Sequence, residues 1–340
     1  MFRVLIGAAG LLALAAGPGV APAAAHSAAR TMAPPVALPS DLAAVTRGAP
    51  ERMVALTDQQ YENTQAARIR VMDPAVANWN TAAAQKWAWA PTGANGFGGM
   101  SSTWGLPSDV KLRKRGGAYV AVVSDTRGLA ALISYPAGKR LWGVDVGGSS
   151  ASPHSVELLP DGNVAVAASG SGGFIRVYTA SQGIASAKYV NFPLNFAHGV
   201  SWDPTHKVLW ALGNDQVVAL KVTGTPAAPK LEKSRVIQLP NGGGHDLAPA
   251  LENRDIFWVS TAESIYRVSK STGKVLASDD QASIKSVGSL PNGQLIRTRP
   301  KEGCRSGWCT DTVEFAGPAA KRTLSGAQIY KARPWSSRYE

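Results

Sequence analysis

The sequence predicts an all-β protein, a six-bladed β-propeller whose ring is closed by the C-terminal strand completing the first blade. Three observations carry that prediction: a spaced repeat, a four-strand cycle between its copies, and a strand missing at one end of the chain but present at the other. The repeat is Ser108-Asp109-Val110, His154-Ser155-Val156, His198-Gly199-Val200, His245-Asp246-Leu247 and Lys285-Ser286-Val287. Successive copies are 46, 44, 47 and 40 residues apart. A unit of about 40 to 50 residues built of short strands is the sequence mark of a propeller blade.

The strand cycle is clearest after His154. Val156-Glu157-Leu158-Leu159 turns at Pro160-Asp161-Gly162 into Asn163-Val164-Ala165-Val166-Ala167. Phe174 to Tyr178 and then Lys188 to Phe192 complete the unit, each run β-branched or aromatic and bounded by Gly, Asp or Pro. The same cycle fits the units that begin at Ser108, His198, His245 and Lys285. Before Ser108 only three strands are found, Met53 to Leu56, Arg68 to Met72 and Lys86 to Trp89, and the innermost is absent. Ala327 to Ala332 is surplus at the other end, so it supplies the missing strand and leaves no open sheet edge.

Residues 1–25 read as a secretory signal: Arg3 is the positive n-region, Val4 to Ala16 the apolar core, and Ala23-Ala24-Ala25 the cleavage site. The apolar run is shorter than the roughly 20 residues a membrane span needs, and Gly17-Pro18-Gly19 breaks it. Residues 26–50, Ala- and Pro-rich without a period, read as a flexible leader, and residues 51–340 as the propeller. A secreted, monomeric protein with no membrane span after cleavage is therefore expected. Its two cysteines, Cys304 and Cys309, read as one local disulfide in that compartment.

The formal charge of +12 fits simple solubility and surface adhesion, and equally an acidic partner such as an acidic carbohydrate or a cell-wall polymer. Nucleic acid is not favoured, because no nucleic-acid motif accompanies the charge. No Gly-x-Ser-x-Gly elbow, phosphate loop or dinucleotide fingerprint is present, so no nucleotide cofactor is indicated.

Topology gathers the candidate site. The innermost strand of each blade starts beside the axis and the next strand returns, so the connections entering the innermost strands share a face with those leaving the second strands. Ser108, His154, His198, His245 and Lys285 belong to the first set; Asp58, Asp125, Asp215, Ser169 and Arg299 belong to the second. Three readings of the histidines stand side by side. They are structural groups bonded to Asp58, Asp125 or Asp215, or ligands of a divalent transition metal, or direct contacts to a bound molecule. Lys285 suits an anion or is simply a surface charge. Trp104 and Trp308, in loops, are candidates for stacking on a ligand, whereas Trp87, Trp89, Trp142, Trp202, Trp210 and Trp258 fall within strands and suit the packing between blades.

Pro153 to Ala167, Gly244-His245-Asp246-Leu247, Lys285 to Gly288, Trp308 to Val313 and Gly326 to Trp335 together resemble a bacterial family of secreted six-bladed propellers of unknown function. The resemblance implies fold and export, and no activity. A more distant likeness is to oligogalacturonate-lyase propellers, which hold a metal through axial histidines and a glutamine. That likeness implies His154, His198, His245 and Gln328 as metal ligands, and a metal-assisted lyase or hydrolase acting on an acidic polysaccharide. A structural or protein-interaction platform is the remaining alternative.

Overall fold

The computed structural model describes residues 52–304, 307–316 and 320–339, all within the compact unit Ser40–Glu340. The expected signal (1–25) and leader (26–50) lie outside the described residues.

The chain enters blade one with β1 (Val54–Asp58), β2 (Arg68–Met72) and β3 (Gln85–Trp89). Blade two is β4 (Pro107–Arg115), β5 (Ala118–Asp125), β6 (Leu129–Ser134) and β7 (Arg140–Asp145). The four-residue helix α1 (Gly148–Ala151) then leads to blade three, β8 (Pro153–Leu158), β9 (Val164–Ala168), β10 (Phe174–Tyr178) and β11 (Tyr189–Pro193). Blade four is β12 (Gly199–Asp203), β13 (Val208–Leu212), β14 (Gln216–Thr225) and β15 (Ala228–Gln238), and blade five is β16 (Asp246–Pro249), β17 (Ile256–Ser260), β18 (Ile265–Ser269) and β19 (Val275–Asp279). Blade six is β20 (Ser286–Ser289), β21 (Leu295–Thr298), β22 (Thr312–Phe315) and β23 (Ala320–Thr323); β24 (Ile329–Pro334) follows. These strands form six four-stranded sheets, and β24 is the innermost strand of the first, in the order β24-β1-β2-β3. The predicted closure is the one observed: Ala332 pairs with Leu56 and Arg333 with Ala55.

Apolar side chains on adjacent blades mesh into the core. Val122, Leu132 and Trp142 of blade two pack with Val156, Val166 and Tyr178 of blade three, and Ile175 and Val177 on the other face of blade three meet Val200 and Leu209 of blade four. Tryptophans clasp neighbouring blades as well: the indole N–H of Trp89 donates to Gly138 O at 2.9 Å and that of Trp142 to Ser186 O at 2.8 Å.

The second residue of each repeat copy has a structural task. Its side-chain oxygen accepts the backbone N–H of the third residue in the next blade: Asp109 from Val156 (3.3 Å), Ser155 from Val200 (3.2 Å), Asp246 from Val287 (2.9 Å) and Ser286 from Ala332 (3.0 Å). Blade four carries Gly199 there instead. A Cβ on Gly199 would stand 2.6 Å from the Leu247 Cβ, so the fifth blade packs too close for any side chain.

Candidate functional site

The first residue of each copy is set apart from its strand by a local bulge. Register slips between Pro107 and Asp109 and between Pro153 and Ser155, leaving Ser108 and His154 unpaired. In the next three blades the N–H groups of His198, His245 and Lys285 bond the carbonyls of Leu212, Ser260 and Thr298, the residues already paired with Gly199, Asp246 and Ser286. Two residues thus oppose one, the arrangement by which a bulge re-aims a side chain. A left-handed residue two positions earlier repeats with it: Ser152 (φ 51°), Phe196 (φ 56°), Gly243 (φ 72°) and Ser283 (φ 64°).

These devices bring the predicted histidines together. The His154 and His198 ring centroids are 4.1 Å apart and those of His198 and His245 are 5.6 Å apart. The Lys285 ammonium lies 2.9 Å from His245 Nε2. Tyr330 closes the circle from blade one, 6.0 Å from His154, and Phe196 lies against His198 at 4.1 Å. Sequence reasoning missed Tyr330, although Tyr330-Lys331-Ala332 follows Lys285 by 45 residues and is a sixth copy of the repeat. Ser108 stands at the remaining position but is fully buried; its hydroxyl donates to Pro153 O at 2.7 Å and meets Ser124 Oγ at 3.0 Å.

Hydrogen bonds set the tautomers. His154 Nδ1 lies 2.8 Å from Ser152 O and His198 Nδ1 lies 2.9 Å from Phe196 O, each the carbonyl of the left-handed residue two positions back. A carbonyl only accepts, so both Nδ1 atoms carry the proton and both Nε2 atoms present lone pairs. Those Nε2 atoms have no partner among the described residues. At His245 the Lys285 ammonium donates to Nε2, which places the proton on Nδ1, a buried atom with no partner. None of the three rings bonds Asp58, Asp125 or Asp215. Asp58 binds Arg70 at 2.8 Å, Asp125 accepts the N–H groups of Gly105, Leu106 and Arg127, and the Asp215 carbonyl accepts the Leu239 N–H.

Burial, and then the positive charge of Lys331, bring His154 down to about 4; burial and Lys285 bring His245 down to about 3. His198 is held well below its ordinary value by burial and by His154. Burial also lowers Lys285. The three imidazoles of the ring are therefore held neutral, with Lys285 beside them.

Beneath it the axis is filled with charge. Lys331 Nζ donates to His154 O at 3.1 Å and to Asp246 at 3.0 Å, and Arg333 bridges Asp246 (2.6 Å) and Asp109 (2.8 Å). Lys111 reaches Asp109 at 3.2 Å, and Arg113 forks onto Glu157 with two bonds of 2.7 Å. Tyr339 covers Arg113 from the opposite face, 4.5 Å from ring centroid to guanidinium, and its hydroxyl donates to Leu158 O. The far end of the axis is thus closed by Tyr339, while His154, His245 and Lys285 at the near end are half-buried.

The remaining predicted residues fall elsewhere on that face or in the core. Trp104 is not a surface platform: it is 5 % exposed, edge-on to Trp89 at 5.4 Å, and donates to Ala67 O. Its indole completes the packing between blades one and two. Arg299 is bonded to Ala282 O and to the Gln281 side chain. Gln328 uses its amide oxygen to accept the Tyr61 N–H at 2.7 Å, and among the described residues no group of three or more His, Cys, Asp or Glu is arranged to hold a metal ion. Of the expected ligand set of His154, His198, His245 and Gln328, Gln328 Oε1 and His245 Nε2 already accept bonds from Tyr61 and Lys285. Cys304 and Cys309 form the expected disulfide, with Cα atoms 5.7 Å apart. Its loop carries Trp308, which is exposed.

A crystal structure of a protein of unknown function from Bacteroides caccae is similar over 82 % of this chain and 97 % of that one, with a TM-score of 0.52 and 11 % identity, a likeness of fold. Kuenenia stuttgartiensis hydrazine synthase aligns with 62 % of this chain and 61 % of its own, at a TM-score of 0.42 and 13 % identity. No curated protein matches. A family model described as "Family of unknown function (DUF6528)" matches residues 32–337, which takes in all six blades and the ring of His154, His198, His245, Lys285 and Tyr330, and the chain belongs to that family.

Proposed function

We propose that this is an exported ligand-binding propeller whose hub captures an acidic carbohydrate, free or as part of a wall polymer. One observation carries the reading: the Lys285 ammonium shares a ring with two imidazoles whose Nε2 lone pairs are held free for a partner. A sugar acid matches both, since its carboxylate takes the ammonium and its hydroxyls donate to the imidazoles. The net charge of +12 draws such a ligand in. The leading apolar segment and the disulfide support export.

Titration calorimetry with galacturonate and with galactose tests it. Galacturonate is expected to bind, and Lys285→Met to weaken it roughly 10- to 100-fold, the worth of one charge-assisted bond. Equal binding of the two sugars, or indifference to Lys285→Met, overturns the assignment. A stoichiometric transition metal, lost in a His154, His198 and His245 triple alanine variant, would instead favour the metal-assisted lyase or hydrolase.

A further inference from the structure

We propose that Trp308, with Tyr61 beside it, is a second subsite that stacks on a sugar ring, so that the ligand is an oligosaccharide running outward from the hub. This deepens the reading of the hub as a sugar-acid site and rests on it for the identity of the ligand.

Tyr61 and Trp308 are 42 % and 41 % exposed, and their rings meet edge to face with centroids 6.4 Å apart. Both belong to connections between the second and third strands of a blade, the loops that share a face with the histidines. The same placement brings Ser169 Oγ within 3.2 Å of His154 Nδ1 in blade three. Single exposed aromatics are ordinary, but this pair is held in place. The Trp308 indole N–H donates to Gln59 Oε1 at 3.1 Å. Gln59 is itself 2 % exposed and uses its other end to donate to Pro107 O at 3.3 Å. Pro107 directly precedes Ser108, a hub position, so a buried amide ties the indole to the inner edge of blade two. Tyr61 is fixed through its N–H on Gln328, which in turn is held by its own N–H on Asp58 at 2.9 Å.

Trp308 directly precedes Cys309 of the Cys304–Cys309 disulfide, and its indole is held by the bond to Gln59, so less side-chain freedom is lost on binding. An indole whose N–H is already bonded to protein offers its apolar face, and the C–H face of a pyranose is the complementary surface. The arrangement divides the hub face. His154, His198, His245 and Lys285 enter the innermost strands of blades three, four, five and six; Trp308 and Tyr61 stand in the loops between the second and third strands of blades six and one. A ring stacked on Trp308, one strand further out along blade six, lies outward of the one whose carboxylate meets the ammonium, which calls for more than one sugar unit.

Calorimetry with monomeric galacturonate, its 1,4-linked trimer and neutral maltotriose tests the subsite. The trimer should bind more tightly than the monomer. Trp308→Ala should weaken the trimer roughly tenfold while leaving the monomer within about twofold, and Trp308→Phe should restore most of the loss. An unchanged trimer affinity in Trp308→Ala overturns the subsite, and so does an equal loss for monomer and trimer, which would mean that the indole only supports the hub. Binding of maltotriose through Trp308 without binding of galacturonate keeps the subsite and overturns the hub reading. Failure to bind any of the three overturns both.

Discussion

Each imidazole of the hub is held neutral by a cause that is local and has a sign. His154, brought from 6.5 to about 4, and His245, brought to about 3, refuse protons that the unfolded chain accepts. The unfolded state therefore binds more protons below pH 6.5, and stability falls as the pH drops from there toward about 4 and then about 3. Above 6.5 these groups are neutral in both states and contribute no slope. Each contributes at most about 1.4 kcal/mol per pH unit within its window. Asp109 and Asp246, held below the usual carboxylate range by Arg333 against the opposing effect of burial, act in the same direction but only below their ordinary value of 3.8. Urea midpoints measured from pH 7 to pH 4 should thus fall, and His154→Gln should flatten the fall. Parallel curves for the two proteins would mean that the ring is not held neutral as described.

At the scale of strands, the bulge and the left-handed residue before it turn a repeat of three residues into two jobs. The first residue is thrown toward the hub, while the second stitches its blade to the next. Ser286 illustrates the second job: its hydroxyl accepts the Ala332 N–H at 3.0 Å and meets Thr298 Oγ1 at 2.8 Å. Ser286→Ala leaves a buried N–H on the closing strand without a partner. It should destabilise the ring by roughly 1–3 kcal/mol in urea unfolding. A change below a few tenths of a kcal/mol would show that the stitch carries no weight.

The strands themselves were legible because each run alternates or is β-branched and ends at Gly, Asp or Asn. Phe174–Tyr178 came out with the bounds read from sequence, and β24 closes the ring where the surplus run required it. Trp104 was misread, since a tryptophan in a Gly-rich loop resembles a surface residue until a neighbouring blade is laid over it. The tautomers were out of reach, because they depend on carbonyls turned by positive φ at Ser152 and Phe196, which sequence does not announce in a non-glycine residue.

The charged axis was hidden for a related reason: Asp109-Val110-Lys111-Leu112-Arg113 alternates as a solvent-facing strand does, yet in a closed ring the inner polar face looks onto other strands. Asp109, Glu157 and Asp246 there meet Lys111, Arg113, Lys331 and Arg333, charges delivered by blades two, three, five and one. Such a network joins parts of the ring that share no backbone pairing, and removing one member strands its partners away from water. Asp246 is the sharpest case, because Lys331 and Arg333 both rest on it and both come from the strand that closes the ring. Asp246→Asn should therefore cost about 3–5 kcal/mol in a single cooperative transition. Adding Lys331→Met should recover part of that loss by removing the ammonium left without its carboxylate. If the single variant unfolds at the wild-type urea midpoint, the axis is wetter than the buried geometry implies and closure rests on the apolar packing between blades alone. If it unfolds in two steps, blade one separates before the others and the network acts as a latch on β24 rather than as a hub for the whole ring.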